Sequence, residues 1–334
     1  MIKPEDIEFH TPANADYLYA ETNYFGFTIP EERLMGSVYV VNRKGLGVTS
    51  ADVVIFGSLA DCRSESLYID NRQHLPAPER LSDCKLASGL EVKAFNPRDY
   101  RVKYTGFEDT ALHFDFKGIM EPFDIHDPNH SPMVSRESYD RHADSGFGSG
   151  YGGHFDLTGH LTGSLRLRGK EYKIDCIETM DHSWGPRPEI DMPPIGWMHA
   201  HFGKDLVIHW IHACDFSKPV GCQIKLAHGY VVENGEVYGL TSLNARIVRS
   251  GVVTTGFEVM ATDKRGKTWN LFGTAEVGSP WICYISTAVY VAMVRWSLPD
   301  GRVGYGITQE NQSLQGLVRA RGKRWTDQVS RVTS

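Results

Sequence analysis

The stretch Cys176 to Arg187, CIETMDHSWGPR, crowds a carboxylate (Asp181), an imidazole (His182), an indole (Trp184) and a guanidinium (Arg187) into one turn-forming segment closed by Gly185, Pro186 and Pro188. A carboxylate beside an imidazole can set its tautomer and raise its basicity, and an indole offers an apolar wall or a π face to an electron-poor centre. The segment therefore reads as an acid–base site. The competing reading is a structural corner, in which Asp181 pairs with Arg187 across a proline-rich turn and Trp184 fills a core.

A second group of candidates lies in the hairpin predicted over Gly196 to Asp215, GWMHAHFGKDLVIHWIHACD; seven of the 14 histidines fall between His154 and His212. A two-residue loop beginning with glycine favours a type II′ turn, which centres the loop on Gly203 and Lys204 and pairs Phe202 with Asp205. Counting outward, His201 faces Leu206, His199 faces Ile208 and Trp197 faces Trp210. Directly opposed residues share a face. Trp197, His199, His201, Trp210 and His212 then form the wall of a small-molecule pocket, and Met198, Ala200, Phe202, Val207 and Ile211 face a core. A three-residue loop would instead set His199 opposite His209. His199 and His201 with His212 or His209 across the hairpin also make a metal-binding pattern, but the position where metal β-barrels usually carry a glutamate reads FGKDL. The expectation is a site without metal or cofactor, with His199, His201 and His212 as the ligands if an ion is bound.

The elements that must position these groups are strands. Glu21 to Ile29 leads through Pro30 into Ser37 to Asn42, and the turn Arg43 to Gly47 suggests a hairpin with Asp52 to Gly57. The polar stretch Asp61 to Glu79 reads as a loop, followed by strands at Leu90 to Phe95, Tyr100 to Tyr104 and Ala111 to Met120. In the last of these, Leu112, Phe114 and Phe116 alternate with His113, Asp115 and Lys117, as a half-buried antiparallel strand requires. Glu121 to Gly153, rich in Pro, Asp, His, Ser and Gly, reads as a linker or lid whose His126, His130 and His142 are solvated. His154 to Arg168 turns at Arg168, Gly169 and Lys170 into Glu171 to Met180, where Tyr172, Ile174, Cys176, Glu178 and Met180 share a face by period two. His182 would continue that face, near Glu178. Glu178 then either pairs with Arg166 or Arg168 or acts as an acid of raised pKa.

From Gln223 to Gly316 short strands and turns continue, and the apolar run Trp281 to Val294 is shorter than the ~20 residues of a spanning helix, so it reads as one or two buried strands. No amphipathic helix stands out. The expectation is an all-β protein of two packed β-lobes, barrel or sandwich, with an N-terminal lobe over 1–120, a linker or lid over 121–153, a C-terminal lobe over 154–320 and a tail over 321–334.

Composition narrows the function class. A chain of 334 residues with 41% apolar and 23% charged side chains buries a substantial core. A net charge of -6 without a long run of one sign gives no footprint for nucleic acid or an anionic membrane. The opening MIKPEDIEFHTPANADY lacks a basic region followed by an apolar one, and the six cysteines form no C-x-x-C pair. A cytoplasmic protein with reduced thiols and no stable membrane insertion is expected.

The run HLPAPERLSD followed by SGLEV, and the later DHSWGPR, resemble the lipocalin-like superfamily that contains carotenoid 1,2-hydratase (hydroxyneurosporene synthase), the AttH-type proteins and related Diels–Alderases, over about Glu21 to Gln312. The resemblance implies a pair of lipocalin-like β-barrels with an apolar pocket, and activities such as adding water across an isolated alkene or folding polyenes for cyclisation. His182 and Trp184 match the family's His-x-Trp and would be catalytic, with Asp181 orienting His182. The tyrosine and aspartate that the hydratase pattern carries downstream are replaced by VIHWIHACD, where His209, His212 or Asp215 could deliver the proton; Met180 stands where close relatives often have a basic residue. The reading is a cofactor-free acid–base enzyme (hydratase or dehydratase, lyase or isomerase) on an apolar terpenoid-like or aryl small molecule. Trp197, His199, His201, Trp210, Glu178 and Arg187 would line its pocket, with indole faces stabilising positive charge. Its rivals are a lipocalin-like carrier without catalysis and a His-ligated metal enzyme, and a homodimer is left open.

Overall fold

The computed structural model describes residues 1–134, 151–187, 189–190, 192–216 and 218–319. His142, Pro188 and the tail over 321–334 lie outside the described residues, as does the part of the expected linker over 135–150. The chain is built from antiparallel strands: β1 (Tyr19–Ile29), β2 (Leu34–Arg43), β3 (Val48–Phe56), β4 (Tyr68–Pro76), β5 (Asp83–Lys85), β6 (Leu90–Asn96), β7 (Asp99–Thr105), β8 (Ala111–Gly118), β9 (Phe123–Asp124), β10 (Gly153–Leu167), β11 (Lys170–Pro186), β12 (Ile195–His201), β13 (Leu206–Cys214), β14 (Ile224–Glu233), β15 (Glu236–Ser250), β16 (Val253–Asp263), β17 (Thr268–Trp281), β18 (Thr287–Ser297) and β19 (Val303–Ser313). The first eleven make one sheet in the order β4-β3-β2-β1-β11-β10-β8-β7-β6-β5, with β9 also paired to β10. The last eight close into a barrel, β12 pairing with β19. The protein is all-β, as its repeated short apolar runs and turns predict.

Three apolar cores follow from the alternation of side chains. Phe25, Phe27, Phe114, Phe116, Phe155 and Leu161 fill the first sheet's own core, Met198, Ile208, Trp210, Leu271 and Trp296 fill the barrel, and Tyr24, Met35, Phe56, Trp197, Ile211 and Met293 pack the two together. Each large side chain buried there contributes about 1.5–3 kcal/mol of transfer free energy. The two sheets approach closely at Gly26, where an added Cβ would collide with the Ile307 side chain of the barrel.

Three expectations are corrected. A second lobe beginning at His154 is not what forms: β10 and β11 complete the first sheet, because β11 pairs with β1 and β10 with β8, and the chain changes sheet between Pro186 and Ile195. The polar stretch Asp61 to Glu79 contains β4, an edge strand that pairs only with β3 and so needs no apolar face of the usual kind. The segment 181–186 is not a turn; β11 runs on through Pro186. Of the apolar run Trp281 to Val294, Trp281 ends β17 and Thr287 to Val294 lie in the largely buried β18, while the connection over 282–286 leaves Ile285 exposed; among the described residues no helix is long and apolar enough to cross a membrane.

Candidate active site

The hairpin β10–β11 carries the centre of the site. Its two-residue loop, Arg168 and Gly169, has positive φ at both positions (48° and 80°), the backbone of a type I′ turn. From there the register holds without a slip along the whole of β10, from Leu167 opposite Lys170 to Gly153 opposite Trp184. Thr158 therefore faces Thr179, Asp156 faces Asp181 and His154 faces Ser183, a ladder of polar side chains on the face turned toward the barrel. The barrel answers with Tyr230, whose hydroxyl is 2.8 Å from Thr158 Oγ1, and with Trp197, whose Nε1–H donates to Asp156 Oδ1 at 2.8 Å.

Asp156 is fully buried, and its second oxygen lies 3.1 Å from His154 Nε2, 3.1 Å from His209 Nε2 and 3.6 Å from His228 Nε2. Burial alone would raise its pKa, but the imidazoles of His209 and His154 outweigh burial and hold it well below the ordinary carboxylate value. Burial pulls His154 down, yet the Asp156 charge more than compensates and its pKa is raised. Asp181, across the ladder, goes the other way. Burial, reinforced by the like charge of Asp156 and opposed by His154, pushes it up to about 7. His154 bridges the two, with Nδ1 3.7 Å from Asp181 Oδ2. Two opposed carboxylates are thus driven apart in acidity, the arrangement that separates an acid from a charged partner.

His154, Asp181 and Ser183 open on a cleft between the first sheet and the barrel. Tyr24, Tyr39, Tyr151, Trp197, Trp281 and Tyr284 form its aromatic wall. Tyr39 Oη donates to Tyr284 Oη at 3.1 Å, and Arg187 Nε donates to Tyr284 Oη at 3.2 Å while its guanidinium lies 4.7 Å over the Tyr151 ring. An apolar cleft with a few convergent polar groups suits a small aryl or alkenyl molecule.

The structure divides the sequence candidates. Asp181 is in the cleft, but it does not orient His182, because successive residues of a strand point to opposite faces. His182 lies on the other side of β11, where its Nδ1–H donates to the Thr22 carbonyl at 2.9 Å and burial pushes its pKa down to about 4. Trp184 shares that side, stacked at 3.7 Å on His10. Arg187 sits behind the cleft wall. Glu178 pairs with neither Arg166 nor Arg168 and is not brought to His182; its Oε2 lies 3.6 Å from His199 Nδ1 and 3.8 Å from His201 Nδ1.

The β12–β13 register is the alternative one. His199 pairs with His209, Trp197 with Ile211 and Met198 with Trp210. The loop takes one more residue than a type II′ turn, Phe202 N–H donating to the Leu206 carbonyl at 2.8 Å, and every opposing side chain changes face. Trp210 therefore belongs to the barrel interior, 5.7 Å from Trp296, instead of the pocket wall. His212 faces the same interior against Gly196, pushed down to about 3 by burial with the Arg249 charge adding to it; it is not brought to His199 and His201. Of the expected wall only Trp197 lines the cleft. Asp215 is exposed beyond β13, 3.6 Å from Lys218. His126 and His130 are not solvated: His126 is buried beside the Tyr151 carbonyl, and His130 Nδ1 accepts the Asp124 N–H at 3.1 Å.

Sequence reasoning missed His154, Asp156, Tyr39 and Tyr284. For the first two the signal was present: counting outward from Arg168 and Gly169 places Asp156 opposite Asp181 on a face that otherwise alternates with leucine and phenylalanine. Tyr39 and Tyr284 come together from β2 and the β17–β18 turn, and no local pattern announces that.

No curated protein matches this sequence. Among solved structures, the chain is similar to an AttH-like protein from Nitrosomonas europaea (TM-score 0.57, 12% identity, 93% of this chain and 96% of that one). It is equally similar to kievitone hydratase from Nectria haematococca (TM-score 0.57, 13% identity, 93% and 92%). CghA, solved with Sch210972, aligns at a TM-score of 0.49 and 10% identity over 89% and 88% of the two chains. The resemblance read from DHSWG to the AttH-type and hydratase group is thereby borne out for the fold. A family profile matches from near the start of the chain through the last strand of the barrel: over residues 3–314, this protein belongs to the family described as domain of unknown function DUF7064.

Proposed function

We propose that the protein is an acid–base enzyme of the hydratase or dehydratase type, acting on an apolar aryl or terpenoid-like alkene held in the cleft between sheet and barrel. The observation that carries this reading is the opposed pair Asp156 and Asp181, one kept ionised and the other held near 7, at the edge of an aromatic cleft. In the hydration direction the Asp181 carboxyl gives its proton to an alkene carbon. The carbocation that forms faces the π surfaces of Trp197, Trp281 and the tyrosines. Water adds to the cation and its surplus proton returns to Asp181, so that atoms and charge balance. His154, kept cationic by Asp156, stabilises the carboxylate left between the two transfers. Dehydration is the same path reversed. The shared fold with a protein named kievitone hydratase supports the class of reaction, and no step calls on a cofactor.

The test is turnover of a panel of prenylated aryl and terpenoid alkenes in ¹⁸O-labelled water, with the wild type and Asp181→Asn. A positioned general acid is worth about 10²–10⁴-fold, so the variant should lose at least about 100-fold in kcat while its ligand dissociation constant stays within a few-fold. Wild-type turnover by the variant would overturn the assignment of Asp181. Tight binding without ¹⁸O incorporation by the wild type would make the protein a carrier.

A further inference from the structure

Outside the cleft, the described residues hold a second cluster of buried ligating groups that the proposed reaction leaves unused. Glu178 of β11 reaches across to His199 and His201 of β12, and none of the three lines the cleft. Glu178 and His199 are wholly buried and His201 nearly so. The distances from Glu178 Oε2 to the two Nδ1 atoms, 3.6 and 3.8 Å, are too long for hydrogen bonds. They are close to the separation of about 3.3 Å between neighbouring ligands around a tetrahedral ion with bonds of about 2.0–2.1 Å. Among the described residues, Glu178 Oε1, both ring nitrogens of His199 and His201 Nδ1 make no hydrogen bond, an uncommon state for so many buried polar atoms in one place. The rings are held in position: Thr179 Oγ1 lies 3.1 Å from His201 Nε2, and His199 packs edge-on against Trp197 at 3.8 Å. A hydrogen bond on the far nitrogen of a ligating imidazole fixes its orientation, and the Thr179 hydroxyl supplies one to His201.

We propose that Glu178, His199 and His201 form a site for a divalent metal ion of the zinc class, which clamps β11 of the first sheet to β12 of the barrel. Two imidazole nitrogens and one carboxylate oxygen, with no thiolate, suit Zn²⁺ and its neighbours Co²⁺ and Ni²⁺. The enclosed position, away from the aromatic cleft, makes the ion a structural link between sheets. The proposal stands apart from the acid–base reading and does not depend on it.

The experiment uses the untagged full-length protein dialysed against Zn²⁺ or Co²⁺ and then against metal-free buffer, with metal content read by mass spectrometry. About one equivalent should remain, and the metal-loaded protein should melt at a higher temperature than protein treated with chelator. Glu178→Gln and His199→Gln should each lower retained metal at least about fivefold. His228→Gln, which alters a different buried imidazole–carboxylate group, the one around Asp156, should leave it unchanged. As a readout that survives poor folding of those variants, His201→Cys in the Co²⁺ form should gain a thiolate-to-cobalt charge-transfer band absent from the wild type. Absence of retained metal, loss of metal in His228→Gln with retention in Glu178→Gln, or no new band in His201→Cys would each overturn the proposal.

Discussion

Replacing Asp181 by asparagine should make the protein more stable in alkaline solution, and the size of the effect follows from the site. A carboxyl held near 7 in the folded chain, against an ordinary 3.8, binds its proton more tightly in the folded than in the unfolded state. Its contribution to stability is complete below 3.8 and is lost as the pH rises through about 7. At full ionisation that loss amounts to about 4 kcal/mol. The side chain is only 15% exposed, so solvent screening removes little of it. Between about pH 5 and about pH 8.5 the wild type should lose roughly 2–3 kcal/mol through this group. An amide neither titrates nor carries the charge, so Asp181→Asn should open a stability gap of that size over the wild type across the same range. Because Asp181 and His154 titrate as neighbours, the gap reports the pair. Urea unfolding followed by tryptophan fluorescence at the two pH values measures it for both proteins. A gap that stays constant within about 0.5 kcal/mol would show that Asp181 is an ordinary ionised carboxylate, and would remove the general acid from the proposed reaction.

Two further outcomes test the architecture around it. Asp156→Asn leaves an acceptor for the Trp197 indole but removes the charge facing three imidazoles; it should lower the pKa of His154 in an NMR titration and cost about 3 kcal/mol in urea unfolding at neutral pH, and an unmoved His154 would contradict the role given to Asp156. Trp210→Ala should cost about 3–5 kcal/mol, as emptying a packed interior does; a loss below about 1 kcal/mol would instead place Trp210 on a cleft wall, as the shorter hairpin loop would have it.

The all-β class was legible because alternation is a local property: Leu112, Phe114 and Phe116 are buried and His113 is exposed, as their spacing requires. The hairpin whose loop begins at Gly203 shows where such reasoning stops. One residue in the loop decides the face of every side chain in β12 relative to β13, and Gly203 supports either loop; the choice is made by packing, with Trp210 against Trp296 inside the barrel and His209 against Asp156 outside it. DHSWG is dense in chemistry, but a turn there would merge two faces that the strand keeps apart. Asp181 and Ser183 look into the cleft, His182 and Trp184 away from it. β4 was hidden for a different reason: an edge strand has no partner on one side, so its residues Asn71, Arg72, Gln73 and His74 remain polar.

The seam between sheet and barrel has a thermodynamic meaning of its own. Tyr24, Tyr39, His154 and Asp181 come from one side of the cleft and Trp197, Ile211, Trp281 and Gln309 from the other, so a molecule in the cleft touches both halves and can be held only while they stay docked. Binding and docking are then one linked equilibrium: a ligand present at 100 times its dissociation constant adds about 2.7 kcal/mol to the cohesion of the halves. Any substitution that loosens the core of Met35, Phe56 and Met293 between sheet and barrel will weaken affinity from a distance, without touching the ligand.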